Sequence, residues 1–245
     1  TMVEAKGDRM IEFLGDVLAW FGDPDNWIGP SGILNRLREH VQLTAAATFA
    51  ATVLAIPPAL LLGHRRLGGT FVVAVVNIGR AIPSFAIVVL FLPISIRLGL
   101  GIGFWPTFLA LLFLAVPPMF TNTYTGVADV DPDLVEASRG MGMTDREVLT
   151  KVELPMASPV ILAAVRVATV QVAATATLGA LVGWGGLGRF IVDGFSVRDN
   201  VLVFAGALLV AGLAVFLEVL LGWVERRVVP TTLQSRSEIV ESVVA

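Results

Sequence analysis

VLVFAGALLVAGLAVFLEVLLGWV, residues Val201 to Val224, holds a single charged side chain, Glu218. A helix needs roughly 20 consecutive apolar residues to cross the hydrocarbon core of a bilayer. The strands of a membrane barrel would instead alternate apolar and polar residues, and this run does not alternate. It reads as a transmembrane helix. Working outward, four more apolar runs can be drawn. One spans about Val41 to Gly63 and contains Pro57-Pro58. The next, about Gly69 to Ile96, contains Arg80 and Pro83. A third, about Leu98 to Phe120, is interrupted by Pro106 and Pro117-Pro118, and a fourth starts after Pro155 and reaches about Trp184. Composition agrees: 56% of the chain is hydrophobic and 15% is charged, against about 25% charged in soluble domains. The expected fold is all-α, a polytopic transmembrane helix bundle of about five spans.

Several functional classes drop out. A net charge of −3 offers no basic field to nucleic acid. Without cysteine there is no thiolate metal site and no cysteine nucleophile. The two histidines, His40 and His64, sit near span ends with no second ligand at metal spacing, so no metal site is expected. No nucleophile–base pair stands out, so no catalytic residue is assigned. The P-loop signature is missing, so the chain carries no nucleotide site of that kind. Gly183 to Gly188 fits the spacing G-x-G-x-x-G, but it comes after a membrane span rather than a strand. A bent segment at the outer mouth of the bundle suits it better, because small residues let irregular backbone pack among helices. Near the start, Ile11, Leu14, Leu18 and Phe21 recur at helical spacing around Glu12 and Asp16. That segment is short and amphipathic, expected to lie on the membrane surface. Acidic residues interrupt it, so it does not read as a signal peptide.

Between the third and fourth runs lies EASRGMGMTDREVLTKVELP, Glu136 to Pro155, with seven charged side chains. Asp131 is a good N-cap and Pro132 suits the first helical position. A short helix then passes through Leu134, Val135, Ala137 and Ser138, and Gly140 and Gly142 stop it. Thr144 to Glu147 forms a capping box that opens a second helix, and Pro155 ends that helix or begins the next span. Connections between elements have a median of about 4–6 residues. One this long, with its own caps, is expected to be a docking knob with small residues at its tip.

Polar residues within the spans are the other candidates. Asn77, Arg80, Asn122, Arg166, Gln171 and Glu218 are costly in lipid and face a bundle interior or cavity. They line a pathway or gate, or they form internal ion pairs and bonds to broken helices. Both readings stay open. One tyrosine and five tryptophans sit mostly near span ends, where aromatic belts belong.

The insert also carries a resemblance. Glu136-Ala137-Ser138, three residues, Gly142, nine residues, Val152, one residue and Leu154-Pro155 resemble the EAA motif of ABC importer permeases. Serine replaces the second alanine and valine replaces isoleucine. NIGRAIP at Asn77–Pro83, the stretch from Asn122 through the insert, and VELPMASPVILAAVRVATVQVAATATLGALVGWGGLGRFIVDG resemble the permeases of glycine betaine, carnitine and choline uptake systems. The likeness covers about residues 34 to 225. It implies a type I ABC importer permease fold, with an interfacial segment at 1–33, a permease domain at 34–225 and a cytoplasmic tail at 226–245. It makes loop 129–155 the coupling helix, with Glu136, Ala137, Ser138, Arg139, Gly140, Gly142, Leu154 and Pro155 as the residues that engage an ATPase. The pathway candidates are Asn77, Arg80, Asn122, Arg166 and Gln171. The chain itself would hold no cofactor. ATP and magnesium would belong to two ATP-binding subunits, joined by a second permease subunit (itself or a sister chain), an extracytoplasmic solute-binding protein and membrane lipid. The implied location is the bacterial cell membrane. Importers of amino acids, methionine or polyamines remain an alternative, as does a secondary transporter driven by an ion gradient.

Overall fold

The computed structural model describes residues 4–78 and 82–228. Arg80 and the tail from 229 onward lie outside them. All regular elements among the described residues are helical. In order they are α1 (Glu4–Gly22), α2 (Ile33–His64), α3 (Gly69–Asn77), α4 (Ser84–Arg97), α5 (Phe104–Ala128), α6 (Pro132–Gly140), α7 (Asp145–Val148), α8 (Leu154–Thr175), α9 (Gly188–Val197) and α10 (Asn200–Val228). A π turn, Leu149–Glu153, joins α7 to α8, and a 3-10 segment, Ala176–Val182, continues from α8.

Among the described residues, four helical stretches are long and apolar enough to cross a membrane: Ile33–His64, Phe104–Ala128, Asp145–Val182 and Asn200–Val228. The run from Gly69 to Ile96 is instead two shorter helices, α3 and α4. Pro83 explains why no helix runs through. It donates no backbone hydrogen bond and steers the preceding residue out of helical geometry. The third span begins at Phe104 rather than Leu98, because Gly99, Gly101 and Gly103 all take positive φ. Pro106 then falls in the first turn of α5, where its missing N–H costs nothing. Pro57-Pro58 and Pro117-Pro118 lie inside α2 and α5 without ending them.

The chain divides into two compact units, each drawn from three separate segments. One comprises Thr1–Ala47, Ser84–Leu111 and Val172–Val215; the other comprises Thr48–Pro83, Leu112–Gln171 and Phe216–Ala245. In the first, Ile33, Leu187 and Phe190 form a core against which Trp20, Phe21 and Leu202 pack. Phe13 meets Phe204 edge-on at 5.4 Å, so α1 is held against α10 on one side while Met10, Ile11 and Leu18 stay exposed. A second core there joins Ile87 and Val88 of α4 to Ala110 and Val182.

In the second unit, Val127, Ala157 and Ile161 pack with Ile56, Leu60, Leu149 and Leu154. Small residues bring these helices close. Ala51, Ala55 and Ala59 form a fully buried stripe at four-residue spacing along α2. Gly63 continues it, and a Cβ there would lie 2.8 Å from the carbonyl oxygen of Tyr124. Such stripes let membrane helices approach nearly backbone to backbone. Half of the hydrophobic window of α5 is buried, against 11% for α10. The exposed side chains of α10 include Phe204, Leu208, Val215, Phe216 and Val219, an apolar surface suited to lipid.

Candidate functional site

The polar insert is built from local rules. The Asp131 side chain accepts a hydrogen bond from the N–H of Asp133 at 2.9 Å, and Pro132 opens α6. Val135 and Ser138 turn inward, while Leu134, Glu136, Ala137 and Arg139 face out. Ser138 is therefore a packing residue whose hydroxyl bonds back to Leu134. The helix runs through Gly140 and stops at Gly142, whose φ is +87°. The Gly142 N–H reaches Arg139 and the Met143 N–H reaches Ser138, which is the Schellman ending of a helix. Met143 then joins a small core of Val130, Val135 and Val148. Between the two glycines, Met141 is 76% exposed at the tip of the bend. Sequence reasoning did not single it out, although its place between two glycines was the available signal.

Thr144 opens α7 with the expected capping box. Its N–H donates to Glu147 Oε2 at 3.0 Å and its hydroxyl oxygen accepts from the Glu147 N–H at 3.4 Å. Lys151 bonds to Glu147 at 2.8 Å, the favoured orientation for a pair four residues apart. The helix does not end at Pro155. It continues through the π turn into α8. A proline ring clashes with the carbonyl four residues before it, and a wider turn just ahead relieves that clash. Leu154 packs toward Val127, Ala157 and Ile161. The exposed bend is thus joined by unbroken helix to the next span.

Beside the bend is a cavity of about 790 Å³. Its lining carries four cationic side chains, Arg65, Arg66, Arg139 and Arg146, and three acidic ones, Glu136, Asp145 and Glu153. Arg66 takes a left-handed φ of +51° and donates to the Val130 carbonyl at 3.0 Å. Arg139 and Asp145 pair at 3.3 Å across the bend, both well exposed. Glu153 is buried beneath the cavity, and His64 Nδ1 lies 2.5 Å from its Oε2. That pair is 89 residues apart in sequence, and no local pattern points to it.

Among the described residues the intramembrane polar candidates have separate partners. Asn77 donates to Thr121 at 3.2 Å, and Asn122 bonds back to Pro118 at 2.8 Å, using a carbonyl near the paired prolines. Arg166 lies 3.6 Å from Glu218 and 3.4 Å from Glu225, an internal ion-pair cluster. Gly222 makes room, since a Cβ there would sit 3.0 Å from the guanidinium. Gln171 is exposed.

Two further arrangements stand in the first unit. Glu39 Oε2 accepts from the Gly186 N–H at 2.8 Å. His40 Nδ1 accepts from the Leu187 N–H at 3.3 Å, and its Nε2–H donates to the Ala173 carbonyl at 2.8 Å. The glycine-rich segment at 183–188 is thus a bend clamped by the start of α2. Phe104, Trp105, Phe108 and Trp184 also meet, with the Phe104–Trp184 centroids 5.1 Å apart. The rings occupy one another's faces, the opposite of an open cage for an ammonium group.

Comparison with known proteins adds the family. Residues 45–230 match the family described as binding-protein-dependent transport system inner membrane component. The choline transport system permease protein OpuBB of Bacillus subtilis is 34% identical over 207 residues, covering 84% of this chain and 93% of that protein. The glycine betaine/carnitine/choline transport system permease protein OpuCB of the same organism is 35% identical with the same coverage. Among solved structures, an inward-facing form of the MetNI methionine ABC transporter aligns with a TM-score of 0.71 and 25% identity, over 80% of this chain and 96% of that one.

Proposed function

This chain belongs to the binding-protein-dependent transport system inner membrane component family, and from that premise we propose that it is the permease subunit of an ABC importer for a compatible solute such as glycine betaine, choline or carnitine. It is a multi-pass bacterial membrane protein of the type I importer permease fold. The substrates named for its relatives, at 34–35% identity over most of the chain, support the solute class. ATP hydrolysis belongs to two partner subunits, with magnesium bound there, and a second permease subunit and an extracytoplasmic solute-binding protein complete the assembly.

The observation that carries the coupling role is the exposed bend at Met141–Gly142, capped on both sides and continuous with α8. A partner's motion is transmitted only by a stiff element. Methionine suits a docking tip because its unbranched thioether adapts to irregular grooves. Glu136 and Arg139 supply polar contacts on the outer face of α6, with Ala137 and Gly140 keeping the approach clear.

Gly142→Asp is the test. No atom lies within 4 Å of the added Cβ, so the fold has room. The left-handed backbone costs an L-residue about 1–2 kcal/mol, less for aspartate than for most. The variant is expected at normal abundance, with solute uptake at least tenfold lower while ATP hydrolysis persists. Uptake of labelled glycine betaine, choline and carnitine, set against methionine and a polyamine, tests the solute class. Unchanged uptake in Gly142→Asp would remove the docking role.

A further inference from the structure

We infer that the His64–Glu153 pair is a positioning tie that delivers movement of the 129–155 segment to α2 as well as to α8; this rests on the docking role proposed above. Glu153 is the last residue of the π turn, immediately before Leu154-Pro155. A π turn adds one residue to the helical repeat and rotates the rest of the helix by about 100°. Here it sets the Glu153 side chain in the interior, 3% exposed, facing His64 at 9%. A carboxylate is expensive to bury and is tolerated only where a donor meets it. The His64 Nδ1–H donates that bond at 2.5 Å.

His64 is the last residue of α2. Next to it, Gly63 brings the α2 backbone against Tyr124 and Val127 of α5. Around the pair, Leu149 and Leu154 pack with Ile56, Leu60 and Val127. Apolar packing alone lets one helix slide over another, whereas a short hydrogen bond fixes both distance and direction. Glu153 lines the adjoining cavity and its side chain is bound to the end of α2. The bend at Gly142 therefore has two routes into the membrane: unbroken helix into α8, and the imidazole–carboxylate bond into α2.

The test uses the full transporter in lipid vesicles, with its ATP-binding and solute-binding partners, and reads solute accumulated per ATP hydrolysed. A volume-conserving apolar double, His64→Leu with Glu153→Met, keeps the packing and removes the tie. It is expected to assemble and hydrolyse ATP but to move at least fivefold less solute per ATP. Glu153→Gln keeps an acceptor for Nδ1–H and is expected to stay within twofold of the unaltered protein. If the apolar double transports normally per ATP while Gly142→Asp does not, packing suffices, the tie is refuted and the docking role stands. If both leave the ratio unchanged, the docking role fails and takes the tie with it. If the apolar double loses assembled complex, the pair serves stability alone and the inference is overturned.

Discussion

Two glycine bends of the molecule, at residues 140–142 and 183–188, are made in opposite ways. At Gly140–Gly142 the bonds that shape the turn join residues no more than six apart, and a Cβ on either glycine meets nothing within 4 Å. At Gly183–Gly188 the backbone is held by Glu39 and His40, 147 residues away in sequence. There a Cβ on Gly188 would run into the Thr177 carbonyl oxygen, and one on Gly185 would overlap the Glu39 carboxylate. In the first bend glycine supplies only a backbone angle; in the second, Gly183 and Gly186 supply angle while Gly185 and Gly188 supply space. A bend shaped only by its neighbours can be presented to another protein without disturbing the core. A bend clamped by distant side chains is part of the core and moves only if its clamp moves.

Substitutions that separate angle from space test this contrast. Gly188→Ala is expected to have the largest effect. The obstructing atoms are backbone, so the cost should reach about 3 kcal/mol, the upper end for overpacking. Thermal unfolding of the detergent-solubilised protein should show it as a clear drop in midpoint, and an unshifted midpoint would mean the clamp is loose. His40→Ala comes next. It leaves the Leu187 N–H and the Ala173 carbonyl without partners at a site 1% exposed, which costs about 2 kcal/mol. The same unfolding measurement reads it, and Gly188→Ala combined with His40→Ala should fall short of the sum because both loosen one bend. Thr144→Ala is expected to be smallest, losing an N-cap worth about 1 kcal/mol. Its effect should stay local, visible as roughly fivefold faster amide hydrogen exchange at 145–148 with global unfolding unmoved. A global shift would show that the exposed bend is tied into the core after all.

The polar residues placed inside spans make the same point. Arg166 was legible as costly in lipid, yet its partners Glu218 and Glu225, brought against it by α10, were not legible from local sequence. The second apolar run holds two helices rather than one. The apolar run from Gly69 to Ile96 is long enough, but length does not register a break at Pro83, and the chain forms α3 and α4 instead.

By itself the sequence determined the membrane class, the positions of most crossings, and the caps and turns of residues 131–155. Those features depend on apolar run length and on hydrogen bonds a few residues long, and both are written in consecutive letters. Only the tertiary structure decided that Glu153 meets His64, that His40 clamps Leu187, that Trp184 joins Phe104, and that the small residues of α2 form one stripe ending at Tyr124. Each of those depends on helix rotation and on which faces pack together. Helix rotation here turns on single residues, such as the extra one in the π turn before Pro155; the proline favours that turn locally, but which partner the rotated side chain meets is decided by packing.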